Sequence, residues 1–243
     1  MTTAKVCTPR VIFVRHGQTE WSKSGQHTST TDLELTPFGV KQMRNTGKHL
    51  IGKSSFQLIK PGDITHIIVS PRTRAQQTVQ LLTEDLDDIQ KARIPIIIDE
   101  DIREWEYGDY EGMKTKEIRD LRKKRGVDGP DHDWDIWGDG CENGEDYKQV
   151  TERVDRVIEK IKVIHRKSIR ENTTSDILVV AHGHILRCFA ARWVNREINC
   201  NPSFMVDAGG VGVLSYQHHN CNEPALFLAG AFVVPVEEEG ADL

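Results

Sequence analysis

Arg15 and His16, in the stretch VIFVRHGQTEWS, come directly after four apolar residues. The pattern recurs at His182-Gly183, after the apolar run ILVVA, and Arg72 and Arg74 follow the run HIIVS. Imidazole has an unperturbed pKa near ~6.5, so one ring nitrogen is unprotonated and nucleophilic at neutral pH. Guanidinium groups offer bidentate, charge-assisted hydrogen bonds that match phosphate oxygens. Arg15, His16, Arg74 and His182 would together suit a phosphoryl group, with helix N-terminal amides adding partial positive charge. A departing alkoxide also needs an acid, and DEDIREWEYGDYEG supplies Glu104, Glu106 and Glu111. A phosphate dianion disfavours an ionised carboxyl beside it, which lets such a group hold a proton. The plain alternative is a set of strands that turn polar where they meet solvent.

These residues cooperate only if their strands are parallel and end on one edge of a sheet. The order of elements predicts this. RVIFV, ITHIIVS, RIPIIID and DILVVAHGHIL read as apolar, β-branched strands. Between them, LTPFGVKQMRNTGKHLIG, PRTRAQQTVQLLTEDL, EDYKQVTERVDRVIEKIKVIHRKSI and ILRCFAARWV read as helices. Thr36 stands as an N-cap before Pro37. In the longest helix Tyr147, Val150, Val154, Val157, Ile158, Ile161 and Ile164 form an apolar stripe that is simplest as core packing. GGVGVLSYQHH reads as a closing strand, residues 126–144 as an irregular excursion, and VEEEGADL as an acidic tail. The expectation is one α/β domain over 1–243, with a core of about 10–235 and a mainly parallel sheet flanked by helices on both faces. Open α/β sheets bind ligands at such strand ends.

Composition removes several function classes. The net charge of −5 argues against a general nucleic-acid binder. No segment approaches a membrane span, and no N-terminal apolar run is long enough for a signal-peptide core. The 5 cysteines are scattered without a C-x-x-C pair, which suggests reduced thiols in the cytoplasm. His182-x-His184 and His218-His219 lack placed carboxylates or thiolates in ligand spacing, so no metal is expected.

RHG, SPRTRA, REWEYGDYEG and VVAHGH occur in the order and approximate spacing of the histidine phosphatase, or phosphoglycerate-mutase-like, superfamily, which this chain resembles from residue 11 to about 235. The resemblance implies that His16 becomes phosphorylated, that Arg15, Arg74 and His182 hold the phosphoryl oxygens, and that Glu104 is the proton donor. RHGQTEWSKSGQHT, REWEYGDYEGM, IWGDGCENGE, AHGHILR, DAGGVGVLSYQHHN and EPALFLAG are similar, more narrowly, to fungal sedoheptulose-1,7-bisphosphatases. That group implies hydrolysis of the C1 phosphate of a sugar bisphosphate without cofactor or metal, feeding the pentose phosphate pathway and ribose synthesis. The resemblance allows a homo-oligomer, and the expected compartment is the cytoplasm, with the nucleus open as a second.

Carried over by position, the substrate-binding residues would be His27, Thr28, Trp105, Glu106, Tyr107, Arg187 and His218. Arg187, or Lys23 as the alternative, would meet a second phosphate, whereas Glu111 would be an ordinary loop carboxylate. Two departures stand out. NREINCNPSFMV is short where some relatives carry an insertion, and His27 stands where tyrosine is the commoner choice. A phosphoglycerate mutase and a non-catalytic phospho-ligand-binding adaptor on the same fold are the alternatives, since fold alone does not assign function.

Overall fold

The computed structural model describes residues 7–54 and 57–228. In chain order the elements are β1 (Arg10–Arg15), α1 (Glu20–Ser24), α2 (Pro37–Leu50), β2 (Ile64–Val69), α3 (Thr73–Leu82), α4 (Asp88–Arg93), β3 (Ile96–Ile98), α5 (Thr115–Lys124), α6 (Ile136–Asp139), α7 (Tyr147–Glu171), β4 (Asp176–Ala181), α8 (Gly183–Trp193), β5 (Val211–Tyr216) and β6 (Pro224–Leu226). The strands form one sheet in the order β3-β2-β4-β1-β5-β6.

β3, β2, β4 and β1 are mutually parallel, as expected, and Arg15 lies beside Ala181 while Val69 lies beside Val180. The pairing runs one step past the strands, with the His16 amide donating to Ala181 O (2.9 Å) and the Ser70 amide to Val180 O (3.0 Å). Arg15-His16, Ser70 and His182 are therefore brought to one edge. β5 runs antiparallel to β1, with Val211 beside Val14 and Leu214 beside Val11. It starts at that edge and leads away from it.

Strict alternation along the strands builds a two-sided core. Val11 and Phe13 of β1, with Ile177 and Val179 of β4, pack with α7 and α8. Ile12 and Val14, with Leu178 and Val180, pack with Met43 and Leu50 of α2 and with Val79 and Leu82 of α3. All six residues of β4 are buried, as a central parallel strand requires. The α7 stripe is core, as expected, with Val150, Val154, Val157, Ile158 and Ile161 buried. α7 starts at an Asp146–Gln149 capping box and ends at Asn172 in the left-handed region (φ 49°).

Several elements depart from the sequence reading. β3 shrinks to three isoleucines on the sheet's outer edge, all exposed, because among the described residues no strand lies beyond it. The fourth run ends as a strand at Ala181, and α8 begins at Gly183, so His182 is its N-cap residue. The sequence pattern does not mark α1, α4, α5 or β6, and α6 is a single turn inside the excursion at 126–144. The acidic tail lies outside the described residues. Among the described residues, no helix is long and apolar enough to cross a membrane.

Candidate active site

A cavity of about 320 Å³ opens at the edge where β1 and β4 end. Arg15, His16, His27, Thr28, Glu104, Tyr107, His184 and Arg187 line it, together with Phe204, Met205, Val206 and Asp207.

His16 is 5% exposed, and its Nδ1 lies 2.7 Å from Gly17 O. A carbonyl oxygen can only accept, so Nδ1 carries the ring proton and the Nε2 lone pair is free. Burial, with the charges of Arg74 and Arg15, holds the imidazole well below its ordinary pKa. His16 is thus a neutral imidazole at neutral pH.

Arg15 donates through one terminal nitrogen to Val206 O (2.8 Å), while its buried Nε has no partner. An orphaned buried donor is costly unless something else fills it. Gly183 lets the guanidinium lie across the start of α8, since a Cβ there would sit 3.3 Å from Arg15 Cζ. Arg187 also has a buried Nε without a partner. Its guanidinium stacks 4.5 Å from the Trp137 ring centroid and donates to Asn201 Oδ1 (2.8 Å).

Glu104 caps α8 from a distance. Its Oε1 accepts from the amides of Trp105 (2.9 Å) and Ile185 (2.8 Å), and Oε2 accepts from that of His184 (3.1 Å). His182 makes no side-chain cap to α8, so this carboxylate occupies the free amides of the helix's first turn.

Arg74 and His182 sit behind His16 and are not among the lining residues. The His182 ring centroid is 5.1 Å from that of His16. Its Nδ1 accepts from Arg74 Nε (3.2 Å), so Nε2 carries the proton and donates to Ser70 Oγ (2.6 Å). Burial first, then the Arg74 charge, lowers its pKa well below normal. The fully buried Arg74 also donates to the carbonyls of Thr28 (3.2 Å), Ser29 (3.3 Å) and Thr31 (3.1 Å). Glu111, read from sequence as an ordinary loop carboxylate, accepts from the amides of Ser29 and Thr31 (2.9–3.0 Å). Arg74 and Glu111 therefore grip opposite polar groups of the loop that presents Thr28.

The other expected contacts divide. His27 lines the cavity against Tyr107 (ring centroids 4.7 Å) and His184 (5.6 Å), and burial pushes its pKa down to about 4. The Tyr107 hydroxyl shares a 2.7 Å hydrogen bond with His184 Nδ1. Trp105 is buried in the core instead, its indole N–H bonded to Glu145 O (2.9 Å). Glu106 is outside the lining, and its amide is bound by the Glu145 carboxylate (2.9 Å). Lys23 is exposed on α1 and is not a lining residue. His218 lies past the far end of β5, because that antiparallel strand carries its C-terminal residues away from the crevice; there it pairs with Glu223 (2.7 Å).

Residues 204–207 were not singled out in the sequence, yet the short 195–206 segment supplies most of this wall. No spacing signal marks them. Among the described residues, no group of three or more His, Cys, Asp or Glu side chains could hold a metal ion.

Residues 11–226 match the model of the histidine phosphatase superfamily (branch 1). The chain is 50% identical to the sedoheptulose 1,7-bisphosphatase of Saccharomyces cerevisiae, with 96% of each chain covered. It is 29% identical to an acid phosphatase of Mycobacterium tuberculosis, over 86% of this chain and 87% of that one. Its fold is similar to the solved product of a Mycobacterium tuberculosis open reading frame, with TM-score 0.68 and 28% identity over 91% of this chain and 96% of that chain. The family match takes in β1 through β6, and the yeast relative matches nearly end to end. On both grounds, this chain belongs to the histidine phosphatase superfamily.

Proposed function

We propose that this protein is a phosphoric monoester hydrolase that removes the C1 phosphate of sedoheptulose 1,7-bisphosphate through a phosphohistidine on His16. One observation carries the reading. His16 has its Nδ1 proton tied to Gly17 O and its Nε2 free, in the same cavity as Arg15 and Glu104. The seven-carbon substrate is taken from the 50% identical yeast relative.

In the first half-reaction the Nε2 lone pair attacks phosphorus, the N–P bond forms, and the P–O bond to C1 breaks. Its electron pair leaves on the sugar oxygen, which takes a proton from Glu104. In the second, water attacks phosphorus and gives its proton to the Glu104 carboxylate. The N–P pair returns to Nε2 and orthophosphate leaves. Arg15 Nε binds a phosphoryl oxygen and helps offset the charge that builds up. The Arg74 charge acts from behind His16 to keep its ring unprotonated. Arg187, with a second unpartnered Nε, meets the distal phosphate.

The test is phosphate release, with chelator present, from sedoheptulose 1,7-bisphosphate, fructose 1,6-bisphosphate, 3-phosphoglycerate and a phosphotyrosine peptide. Strong preference for the seven-carbon bisphosphate is expected. Turnover of another compound alone would remove the substrate assignment. Phosphoryl exchange on phosphoglycerate without release would make the protein a mutase.

A further inference from the structure

Residues 103–107, which carry the acid assigned to Glu104, belong to no strand or helix, and besides the cap of the Glu104 carboxylate on α8 a second set of contacts fixes their backbone. Arg153, on the first turns of α7, is 2% exposed and uses all five of its N–H donors. Two go to the carboxylate of Glu145 (both 2.8 Å), and the other three go to the carbonyls of Asp101 (2.9 Å), Arg103 (2.7 Å) and Glu104 (3.2 Å). Glu145, 5% exposed, grips the same loop from the other side. Its Oε2 accepts from the Glu106 amide (2.9 Å) and Oε1 from Arg103 (2.9 Å). Its backbone exchanges bonds with Glu106 O and the Trp105 indole, each 2.9 Å. Residues on both sides of Glu104, and its own carbonyl, are thus bound to one buried ion pair.

A buried ion pair contributes little net stability over apolar packing, so its presence here calls for a different explanation. We propose that Glu145 and Arg153 are positioning residues for the proton donor: they set the height of the Glu104 carboxyl against the leaving oxygen without touching substrate. The proposal rests on the assignment of Glu104 as that donor. Reacting groups must meet at about 3–3.5 Å, and a misplacement of about 1 Å arising outside the reacting groups can cost ~10² in rate. In Glu145→Gln one carboxylate oxygen becomes an NH₂ that cannot accept. Either the Glu106 amide or Arg103 then loses its acceptor, and Arg153 loses its counter-charge.

The experiment reads the phosphorylation half-reaction alone, with two substrates. Sedoheptulose 1,7-bisphosphate has an alkoxide leaving group that must be protonated. p-Nitrophenyl phosphate releases a stable phenolate that needs no proton. Glu104→Gln and Glu145→Gln are compared with the parent protein by single turnover on the first and by the nitrophenolate burst on the second. For Glu145→Gln the expected result is a loss of about 30- to 100-fold with the sugar and less than threefold with the nitrophenyl ester, with bisphosphate KM held within threefold. Equal losses on both substrates, where Glu104→Gln remains selective, would overturn the positioning role. A Glu104→Gln protein that is itself unselective would instead overturn the donor assignment. If Glu145→Gln does not fold, Arg103→Gln removes the outer bond to Oε1, together with the Arg103 bond to Glu100 O (3.1 Å), and should give the same selectivity at smaller amplitude. Its absence there would equally refute the proposal.

Discussion

Replacing Arg15 by alanine should be the most informative single change. Arg15 lines the cavity, one terminal N–H of its guanidinium is committed to Val206 O, and its buried Nε has no partner. Nε and an adjacent terminal N–H can form a parallel pair to two phosphoryl oxygens, each bond being charge-assisted. Such bonds contribute about 1.5–3 kcal/mol each, and two of them in the lower part of that range put the cost of Arg15→Ala at about 3–4 kcal/mol of transition-state stabilisation. That is a fall of about 10²–10³ in kcat/KM, in line with loss of a donor to developing charge. A second effect follows from the same residue. The Arg15 charge helps hold His16 below its ordinary pKa, so its removal should move the acid limb of kcat/KM toward higher pH. Arg15→Lys separates the two effects, because lysine keeps a charge but not the planar fork. The limb should return while most of the rate stays lost. Initial rates of phosphate release between pH 4.5 and 8 measure both quantities. A kcat/KM within threefold of the parent in Arg15→Ala would refute the reasoning, since a phosphoryl-binding guanidinium cannot be silent.

Other consequences can be checked more briefly. His16 is depressed well below its ordinary pKa, so in the parent protein NMR of the His16 ring should show no titration near pH 6.5; a titration there would mean that the imidazole is not held neutral. His27 and His165 are pushed to about 4 and about 3, and each stays neutral in the folded protein while the unfolded chain takes a proton near pH 6.5. Their contribution to stability is full above about pH 6.5 and is lost as pH falls toward those lowered values, so urea midpoints should drop between pH 7 and 4.5 and rise with pH across that window. Gly39→Ala would place a Cβ 2.3 Å from Gln18 O. Forcing α2 off the segment after His16 should cost about 1–3 kcal/mol, visible as a lower melting temperature together with reduced kcat.

The sequence made one edge of this site legible because the signal was local. An apolar β-branched run ending in Arg15-His16, and another ending in His182-Gly183, needed only the parallel pairing of β1 with β4 to meet. The misplacements have long-range causes. Nothing in the alternation of GVGVLSY states its direction, and because β5 is antiparallel His218 ends at the opposite edge. Arg74 was visible as a helix-start arginine. Its partners, the carbonyls of Thr28, Ser29 and Thr31, lie more than forty positions away and follow from tertiary packing alone. Glu145 and Arg153 look in sequence like ordinary charges around a helix start, and only their burial reveals what they hold. Trp105 and Glu106 are assigned to the pocket only by the positions that the resemblance carries over. Successive residues of an extended loop face different ways, and the core claims the indole.

In the proposed mechanism His16 Nε2 carries the phosphoryl group. Rapid quench of the protein with sedoheptulose 1,7-bisphosphate labelled at the C1 phosphate, followed by peptide mapping, tests it directly. An acid-labile, base-stable phosphoramidate is expected on the peptide containing His16, formed faster than steady-state turnover and absent from His16→Ala. Turnover by His16→Ala at the parent rate, or label on any other residue, would contradict it.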